Sequence, residues 1–513
     1  MSCYGVWKRK PEEKTGVHRE HMASILGIDL GTSSVKAMLL DVEKGVVGVE
    51  AQSYDVQIPQ ANYAQQSPEE WWRSVCVILK RLKEKYPESF LQIEVVGLSG
   101  QMHGLVMVDE NGQVLHPAII WLDQRSGREC EKIMEIGRDK DWDAVLLNRI
   151  FPGFAFPSLV WMKGHEPDLY QRIDKIMQPK DYIRYCLTGQ VGAEVTDASA
   201  SLMFDVKQRK WADSITEAFG IDSKIFPPCH ESMEIAGTTT EWAQAETGLK
   251  AGIPVIYGAG DQQCQSIGNG VFREGQTICN IGTGGQISVF SVLDRYDKLL
   301  RTNTFCHCHG NGYTIYGASL CAGMALKWLK NNILQEESFG ALSQSAQMVS
   351  PGSDGVLFLP YLAGERTPHM NPEAKGMFFG LQLGHKKEHM IRAVMEGVVY
   401  ALKDSLDILE EMGITSEQII ASGGASASPV WLQIQADIFN KEIRVCKEKE
   451  QACLGACILA GVGTGLFENL EEGCKRFVNY EEQVYVPQPE AVKVYQAGQK
   501  KFRELYERNR DLF

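Results

Sequence analysis

The sequence predicts an α/β protein with two similar lobes that face a central cleft. Three observations support this prediction. Residues 25–41 read as a β-hairpin with a small Gly-Thr turn, a second copy of that hairpin follows at residues 276–290, and strand patterns alternate with helical periodicity between them. Thr283 follows Thr32 by 251 positions in a chain of 513 residues, so the repeat falls at half the chain length.

The first hairpin carries the residue types that bind phosphate. Gly31 lets the backbone approach a ligand closely, Thr32 and Ser33 offer N–H and O–H donors, and Lys36 adds a positive charge. Asp29, at the end of the first strand, would face a metal ion that neutralises the phosphate oxygens. The alternative is an ordinary hairpin in which Asp29 is only a turn residue.

The second hairpin repeats the strand, the turn and the strand, with Gly282, Thr283 and Gly284 in the turn. A repeat of this kind indicates that each lobe offers one phosphate-binding hairpin to a shared cleft.

Length and composition allow two or three domains with large cores, since 44% of the residues are hydrophobic and 23% are charged. The net charge of −13 argues against a nucleic-acid partner, because phosphate backbones bind basic surfaces. An anionic nucleotide would have to be held by local backbone donors and a metal.

The fourteen cysteines show no repeating short spacing, and the polar residues 1–23 do not resemble a secretory signal, so we expect reduced thiols in a cytoplasmic protein. Residues 306–309 (CHCH) favour a strand with alternating faces over a zinc site. Residues 452–467 are short of a membrane span and broken by glycines, which favours a buried helix and no membrane partner.

Along the first half of the chain, Ser67 and Pro68 predict a helix start. A buried strand at residues 94–99 then leads into the loop GQMHG, where Gln101 and His103 suit a small hydroxylated ligand. The alternative for His103 is a solvated or capping side chain. Residues 151–249 are interpreted as an insertion within the first lobe that covers the side of this ligand loop.

A strand at residues 253–260 ends in Asp261, a carboxylate placed to act as general base toward an alcohol. The alternative role of Asp261 is a helix N-cap, and both roles are compatible.

In the second half, residues 387–412 predict a long amphipathic helix, and residues 490–513 predict an outer helix. Gly423 and Gly424 end a short strand, where a backbone that approaches a flat ring closely would suit an adenosine site. A tight packing turn is the alternative.

Together these segments resemble the FGGY family of carbohydrate kinases over nearly all of residues 25–470. The resemblance is carried by FLPYLAGERTPH at 358–369, KGMFFGL at 375–381, GQMHG at 100–104, WLDQR at 121–125 and FPGF at 151–154. It implies two ribonuclease-H-like lobes of the actin-like ATPase type, with ATP and Mg²⁺ as cofactors and a sugar as partner. D-xylulose is the expected substrate, and ribulose, an alditol or a C6 to C7 sugar is the alternative.

The resemblance also implies site residues. The catalytic base falls on Asp261, the metal-side acid on Asp29, and the sugar contacts on Met102 and His103, with Gln101 and Gln262 beside them. ATP contacts are implied at both hairpin turns and at the adenosine turn: Gly31, Thr32, Ser33, Lys36, Gly282, Thr283, Gly284, Gly423 and Gly424.

Three positions depart from the pattern of the family members that this chain most resembles. Gln262 stands where Asn usually follows the catalytic acid, Ala425 replaces a third glycine of the adenosine turn, and Ser158 replaces a frequent lysine. The first departure concerns the choice of sugar, and the other two concern nucleotide affinity.

We expect a disordered extension at residues 1–23, an N-terminal lobe at 24–269 with the sugar site, the first hairpin and the base, and a C-terminal lobe at 270–513 with the second hairpin and the adenosine site. A non-catalytic ATP-binding protein with the same hairpins is the alternative from another class. The oligomeric state is left open, with a homodimer as one alternative.

Overall fold

A computed structural model describes residues 23–336 and 338–513, and it contains two large mixed β-sheets with helices packed against them. The predicted extension at residues 1–23 lies outside the described residues except for Ala23. The first sheet has these strands: β1 (Ser24–Leu30), β2 (Ser34–Asp41), β3 (Gly45–Ser53), β4 (Ile93–Gly100), β5 (Ile235–Thr238), β6 (Pro254–Ile256) and β7 (Ala259–Gly260). Its order is β5-β6-β4-β1-β2-β3, and β7 also pairs with β4.

The second sheet is built on the same plan. Its strands are β8 (Gln276–Ile281), β9 (Gly285–Ser291), β10 (Asn303–Cys306), β11 (Tyr313–Ser319), β12 (Gln418–Ser422) and β13 (Glu442–Val445), in the order β10-β11-β9-β8-β12-β13. In each sheet an antiparallel hairpin, β1-β2 or β8-β9, has a parallel strand on its other side, β4 or β12. The predicted α/β class and the internal repeat are therefore confirmed.

Helices cover both sheets. The helices that are used below are α1 (Pro68–Lys85), α2 (Pro179–Thr188), the short α3 (Val195–Ala200), α4 (Asp261–Gly268), α5 (Lys387–Glu411), α6 (Pro429–Phe439), α7 (Gln451–Gly463) and α8 (Pro489–Asn509). The other helices are Pro87–Leu91, Gly127–Arg138, Asp143–Leu146, Ala155–His165, Pro167–Gln171, Asp213–Glu217, Glu241–Thr247, Gly323–Trp328, the π-helix Leu329–Leu334, Phe339–Gln347 and Leu470–Phe477. The short strand pairs are Gln65–Gln66 with Ala118–Ile119, Val106–Val108 with Lys175–Met177, Ala193–Glu194 with Cys229–His230, Phe204–Asp205 with Lys210–Trp211, and Leu357–Leu359 with Met377–Phe379.

Several of these helices follow directly from sequence signals. Helix α1 begins after Ser67, whose hydroxyl accepts the N–H of Glu70 at 3.3 Å, as expected of an N-cap. Helix α5 ends before Gly413, which has a φ of +77°. The apolar stretch near residue 455 forms the buried helix α7, as predicted.

Helix α7 lies on the first sheet although it follows the second sheet in the sequence. Its backbone fits against small residues of the strands, since a Cβ at Gly97 of β4 would lie 2.1 Å from the carbonyl oxygen of Ala456. Helix α7 also crosses α4 at two glycines: a Cβ at Gly455 would lie 1.8 Å from the carbonyl oxygen of Cys264, and one at Gly268 would lie 1.9 Å from that of Gln451. The two helices therefore pack backbone against backbone.

This crossing predicts the effect of Gly455→Ala. Alanine favours a helix by about 1 kcal/mol over glycine, but here its methyl group would collide with backbone, and overpacking commonly costs about 1–3 kcal/mol or more. We expect a Tm lower by a few degrees in differential scanning calorimetry. Gly127→Ala, at a helical glycine with open space around it, should leave the Tm unchanged or raise it. Equal Tm values for the two variants would contradict the crossing.

Two sequence interpretations need correction. Residues 151–249 are not only an insertion, because β5 is an edge strand of the first sheet and α2 packs against β4. Residues 306–309 do not continue as an alternating strand, because β10 ends at Cys306 and both His307 and Cys308 are buried. Local patterns did not reveal β5 because it pairs with β6 through a bulge. They did not reveal the end of β10 because a turn at Gly310 interrupts the β10-β11 ladder.

The cysteines of the described residues are free thiols, and all of them except Cys229 are buried. Within the same part of the chain, no helix combines the length and the apolar character needed to cross a bilayer.

Candidate active site

Three of the predicted site segments of the first lobe begin at the same edge of its sheet. Leu30 and Gly260 both pair with Gly100, so the ends of β1, β4 and β7 lie side by side. The residues that follow these ends are Gly31, Gln101 and Asp261. Ligand sites of parallel strands gather at such an edge because loops from neighbouring strands converge there.

The turn of the first hairpin has donors that the protein does not use. Its carbonyl groups are occupied: the oxygen of Gly31 accepts a hydrogen bond from the Tyr54 hydroxyl, and that of Thr32 accepts one from Gln66 Nε2 at 2.8 Å. Within residues 23–336 and 338–513, no protein acceptor takes the N–H groups of Thr32 and Ser33. Free N–H groups in a tight turn suit an anion.

The second hairpin has the same arrangement. The carbonyl oxygen of Thr283 accepts the N–H groups of Ala322 and Met324 at 3.1 and 3.0 Å, and that of Gly282 accepts the N–H of Gly323 at 2.9 Å. No acceptor in the described part of the chain takes the N–H groups of Thr283 and Gly284. Each lobe therefore presents two free backbone donors.

Two carboxylates lie at the ends of neighbouring strands of the first sheet: Asp29 in β1 and Asp261 directly after β7. Asp29 accepts a hydrogen bond from Ser99 Oγ at 2.6 Å, and burial raises its pKa. Burial, followed by the negative charge of Asp29, raises the pKa of Asp261 to about 7. Asp261 is also the first residue of α4, with Gly260 as the N-cap, so the alternative N-cap role does not apply to its side chain.

These acids fit a hard divalent cation. Mg²⁺ is commonly held by one or two carboxylates, with the remaining ligands supplied by substrate phosphates and water. Asp29 and Asp261 match that donor set. The negative charge of Asp29 raises the pKa of Asp261, and the hairpin turns supply free N–H groups for phosphate oxygens. The described residues contain no group of three His, Cys, Asp or Glu side chains that could hold a metal alone.

Lys36 forms an ion pair within the protein. It lies opposite Asp29 in the β1-β2 ladder, but its ammonium contacts Glu450 Oε2 at 2.5 Å. Glu450 is the N-cap residue of α7. The ion pair thus ties the first hairpin to that helix, and a phosphate contact for Lys36 stays a prediction.

The predicted sugar loop is buried and closely packed. His103 has a φ of +72°, its Nδ1–H donates to the carbonyl oxygen of Ala200 at 2.9 Å, and its ring centroid lies 3.9 Å from that of Phe154. Burial lowers the pKa of His103 to about 4, so the imidazole is neutral and Nε2 is its acceptor nitrogen. A Cβ on Gly260 would lie 2.7 Å from Met102 Sδ, which places the Met102 side chain against the strand that leads to Asp261.

Gln101 faces the first hairpin. Its Nε2 donates to Gln66 Oε1 at 2.9 Å, and Gln66 in turn bonds the carbonyl oxygen of Thr32. Gln101 therefore links the sugar loop to the first phosphate turn, and direct contact of its side chain with a sugar stays a prediction.

The structure adds residues that the sequence did not single out. Gln286 Nε2, one residue after the start of β9, lies 3.3 Å from Gln262 Oε1, and the Tyr316 hydroxyl contacts the same side chain. The positive charge of Arg366 acts on both Tyr316 and His103, and its Cζ lies 5.5 Å from the Phe151 ring centroid. The sequence signals for this group were the second hairpin, which contains Gln286, and the motif around Arg366. The group brings the second lobe next to the predicted base.

A cavity of about 1010 Å³ lies beside the second hairpin. Its lining includes Gly282, Thr283 and Gly424, with Trp328 and Pro429 among the apolar walls. This size and character suit a nucleoside.

The two glycines of the predicted adenosine turn have separate roles in the structure. Gly424 lines the cavity, and a Cβ there would meet nothing within 4 Å. Gly423 has a φ of +77°, and a Cβ there would lie 2.5 Å from Asn280 Oδ1. Gly423 therefore has the geometry of a tight packing turn, and its contact with adenosine stays a prediction.

Two sheets that share a topology, each with a hairpin whose turn has free backbone donors, together with two carboxylates at the ends of β1 and β7, indicate a phosphotransferase of the actin-like ATPase fold. The chain belongs to the FGGY family of carbohydrate kinases: the N-terminal domain of that family matches residues 24–268, and the C-terminal domain matches residues 278–464. The enzyme class and the fold implied by the sequence motifs are thus confirmed.

Curated relatives match over most of their length. The chain is 33% identical to the xylulose kinase of Bacillus subtilis over 491 residues, which cover 96% of this chain and 98% of that protein. It is 32% identical to the gluconokinase of Bacillus subtilis over 467 residues, covering 87% and 89%. The crystal structure of xylulose kinase from Rhodospirillum rubrum superposes with a TM-score of 0.89 at 27% identity, covering 95% and 99%.

Proposed function

We propose that this enzyme transfers the γ-phosphoryl group of ATP to the 5-hydroxyl of D-xylulose. The observation that carries the proposal is the position of Asp261, which follows a strand packed against Met102 and lies beside Gln262, the residue contacted from the second lobe. Similarity to a xylulose kinase over almost the whole chain supports the choice of sugar.

In the proposed reaction, the carboxylate of Asp261 accepts the proton of the 5-hydroxyl while the oxygen forms a bond to the γ-phosphorus and the bond from that phosphorus to ADP breaks. The N–H groups of Thr32 and Thr283 steady the phosphate oxygens from the two lobes. Mg²⁺, held on the side of Asp29, supplies neutralisation of phosphate charge when it is bound. Positioning and electrostatics provide most of the catalysis in such transfers.

The neutral His103 supports sugar binding without adding charge. Because Nδ1–H is fixed on the carbonyl oxygen of Ala200, Nε2 can accept a hydrogen bond from a sugar hydroxyl. In this proposal the adenosine group binds in the cavity at Gly424. Gly282 and Thr283 of the second hairpin also line that cavity, which supports a phosphate chain that extends toward the hairpin.

A substrate panel tests the proposal. ADP formation with ATP and Mg²⁺ is measured for D-xylulose, D-ribulose, D-gluconate and glycerol in one coupled assay. The proposal expects kcat/KM to be highest for D-xylulose. A higher kcat/KM for D-gluconate or another sugar would identify that sugar as the substrate instead. If no sugar stimulates ADP release, a non-catalytic ATP-binding protein would be favoured.

The pH dependence of the reaction follows from Asp261. Its carboxyl must be ionised to accept a proton, and its pKa is raised from 3.8 to about 7. We expect kcat/KM for the sugar to fall about tenfold per pH unit below pH 7 and to level off above it. Asp404→Asn, which removes a buried carboxyl of helix α5 whose pKa is raised to about 6, should leave this profile unchanged. A flat profile between pH 5 and 8 would contradict the assignment.

A bulky side chain in the proposed adenosine cavity should weaken the binding of ATP but not that of the sugar. Ala427 is exposed and lines this cavity, so Ala427→Trp should raise the KM for ATP by about tenfold or more without disturbing a core. The KM for the sugar should change less than about twofold, since Ala427 lies in the second lobe. Leu383→Trp, at an exposed position outside this cavity, serves as the control. An unchanged KM for ATP in Ala427→Trp would place the adenosine elsewhere.

A further inference from the structure

Five charged side chains lie together inside the first lobe, and each of them is fully buried. They come from α2, from the strand that precedes α3 and from α3 itself: Lys180, Asp181, Arg184, Glu194 and Asp197. Removing this many charges from water is costly, and buried ion pairs seldom add net stability compared with apolar packing. A cluster of this kind therefore calls for a role other than stability.

The cluster is tightly connected. Lys180 Nζ lies 2.9 Å from Asp181 Oδ1, 3.4 Å from Glu194 Oε1 and 3.1 Å from Asp197 Oδ2. Arg184 Nη1 lies 2.5 Å from Asp181 Oδ1. Burial raises the pKa of Asp197 well above its ordinary value, whereas Arg184 and Lys180 lower that of Asp181 despite its burial.

Several contacts that leave the cluster reach the four residues before Asp261. Lys180 Nζ and Arg184 Nη1 each donate to the carbonyl oxygen of Tyr257 at 3.4 Å. Thr196 Oγ1 accepts the N–H of Gly260 at 2.9 Å and donates its own proton to Glu194 Oε1 at 2.6 Å.

A second connection runs through Ser232. Its hydroxyl donates to Glu194 Oε2 at 2.8 Å, and its carbonyl oxygen accepts the N–H of Gly258 at 2.9 Å. The backbone from residue 257 to 260 is thus held at three points by groups that the cluster fixes.

The same cluster supports the sugar loop. A Cβ on Gly100 would lie 2.9 Å from Lys180 Cβ, so the stem of Lys180 packs under the end of β4, directly before Gln101. Strand β7 pairs with β4 at this point, Gly260 opposite Gly100. One buried group of charges therefore touches both backbone segments that lead into the proposed site.

We propose that the buried cluster is a positioning device that holds the backbone of Asp261 against the sugar loop through Thr196 and Ser232. The inference rests on the proposed role of Asp261 as the base. A base is effective only in a narrow geometry, and a displacement of about 1 Å can cost about 100-fold in rate. Thr196 does not touch the reacting atoms in this account, so it is a positioning residue.

The test uses two variants at residue 196. Thr196→Val removes the hydroxyl that links Gly260 to Glu194 and keeps the side-chain volume, whereas Thr196→Ser keeps the hydroxyl. We expect kcat to fall about 10- to 100-fold in Thr196→Val, with both KM values within about twofold, and to recover to within about threefold of the wild-type value in Thr196→Ser.

Thr247→Val is the matched control. Thr247 is also a fully buried threonine of the first lobe, and its hydroxyl donates to the carbonyl oxygen of Ala243 at 2.6 Å and accepts the N–H of Leu249 at 3.2 Å. This variant should lose a similar amount of Tm and keep its kcat. A kcat loss in Thr247→Val equal to that in Thr196→Val, or an unchanged kcat in Thr196→Val, would overturn the proposal.

A double variant separates this inference from the proposed function. Because Thr196 acts through Asp261, Thr196→Val should slow the Asp261→Asn enzyme by less than about twofold; a full additional loss would overturn the positioning role. An active Asp261→Asn enzyme would instead refute the base itself. If Thr196→Val yields no folded protein, Ser232→Ala tests the second connection, with an expected kcat loss of about 3- to 10-fold and rejection of the proposal if kcat is unchanged.

Discussion

Asp261→Asn should lower kcat by about 100- to 10,000-fold, the contribution of a positioned general base. The amide keeps the size of the side chain but cannot accept the proton of the sugar hydroxyl at neutral pH. Dissociation constants for D-xylulose, measured by isothermal titration calorimetry, should change by less than about threefold because the ground-state contacts are kept. The Tm should stay level or rise, since a partly desolvated carboxyl is replaced by a neutral group.

The control for this variant is Asp404→Asn, which removes a buried carboxyl in the second lobe. Its kcat should stay within about twofold of the wild-type value. A turnover near normal in Asp261→Asn would exclude Asp261 as the base, and a loss of sugar binding equal to the loss of kcat would make Asp261 a binding residue.

Asp29→Asn should lower kcat by about 100-fold at saturating Mg²⁺, the scale on which one electrostatic contributor to a transition state acts. The amide oxygen can still accept the hydrogen bond from Ser99, so the fold of the hairpin should be kept. The Mg²⁺ concentration for half-maximal rate should rise, because one anionic ligand is lost. A magnesium titration of the initial rate measures both effects.

Asp29→Asn has a second signature. The negative charge of Asp29 is one of the causes that raise the pKa of Asp261. Without that charge the pKa of Asp261 falls, and the acidic limb of the kcat/KM profile should move to lower pH. Asp41→Asn, at the opposite end of the same hairpin, should change neither the limb nor the magnesium requirement. A limb that moves to higher pH would contradict the proximity of the two acids.

The parts of the site that have a local sequence signal could be predicted. The two hairpins were predictable because glycine turns and apolar runs of strand length mark them directly. The single strand predicted at residues 253–260 is in fact two short strands, β6 and β7, separated by Tyr257 and Gly258. The parallel pairing of β1 with β4 follows from the same α/β pattern.

Contacts between distant segments were not predictable from one sequence. Lys36 and Glu450 are 414 residues apart, and the contact of Gln286 with Gln262 requires the two lobes to be in place. Such pairs leave no periodicity in the chain. The different roles of Gly423 and Gly424 also depend on a neighbour, Asn280, that is remote in sequence.

The placement of α7 has a consequence for how the protein is made. One face of the first sheet, including Ile25, Met38 and Val95, packs against Cys453 and Cys457 of that helix. On the ribosome this apolar face stays bare until residues 451–463 have emerged, and at roughly 5–20 residues per second this takes on the order of ten seconds or more after α4 is complete. The N-terminal half is therefore a natural client for chaperones during translation, and messages truncated before residue 451 would yield an aggregation-prone product.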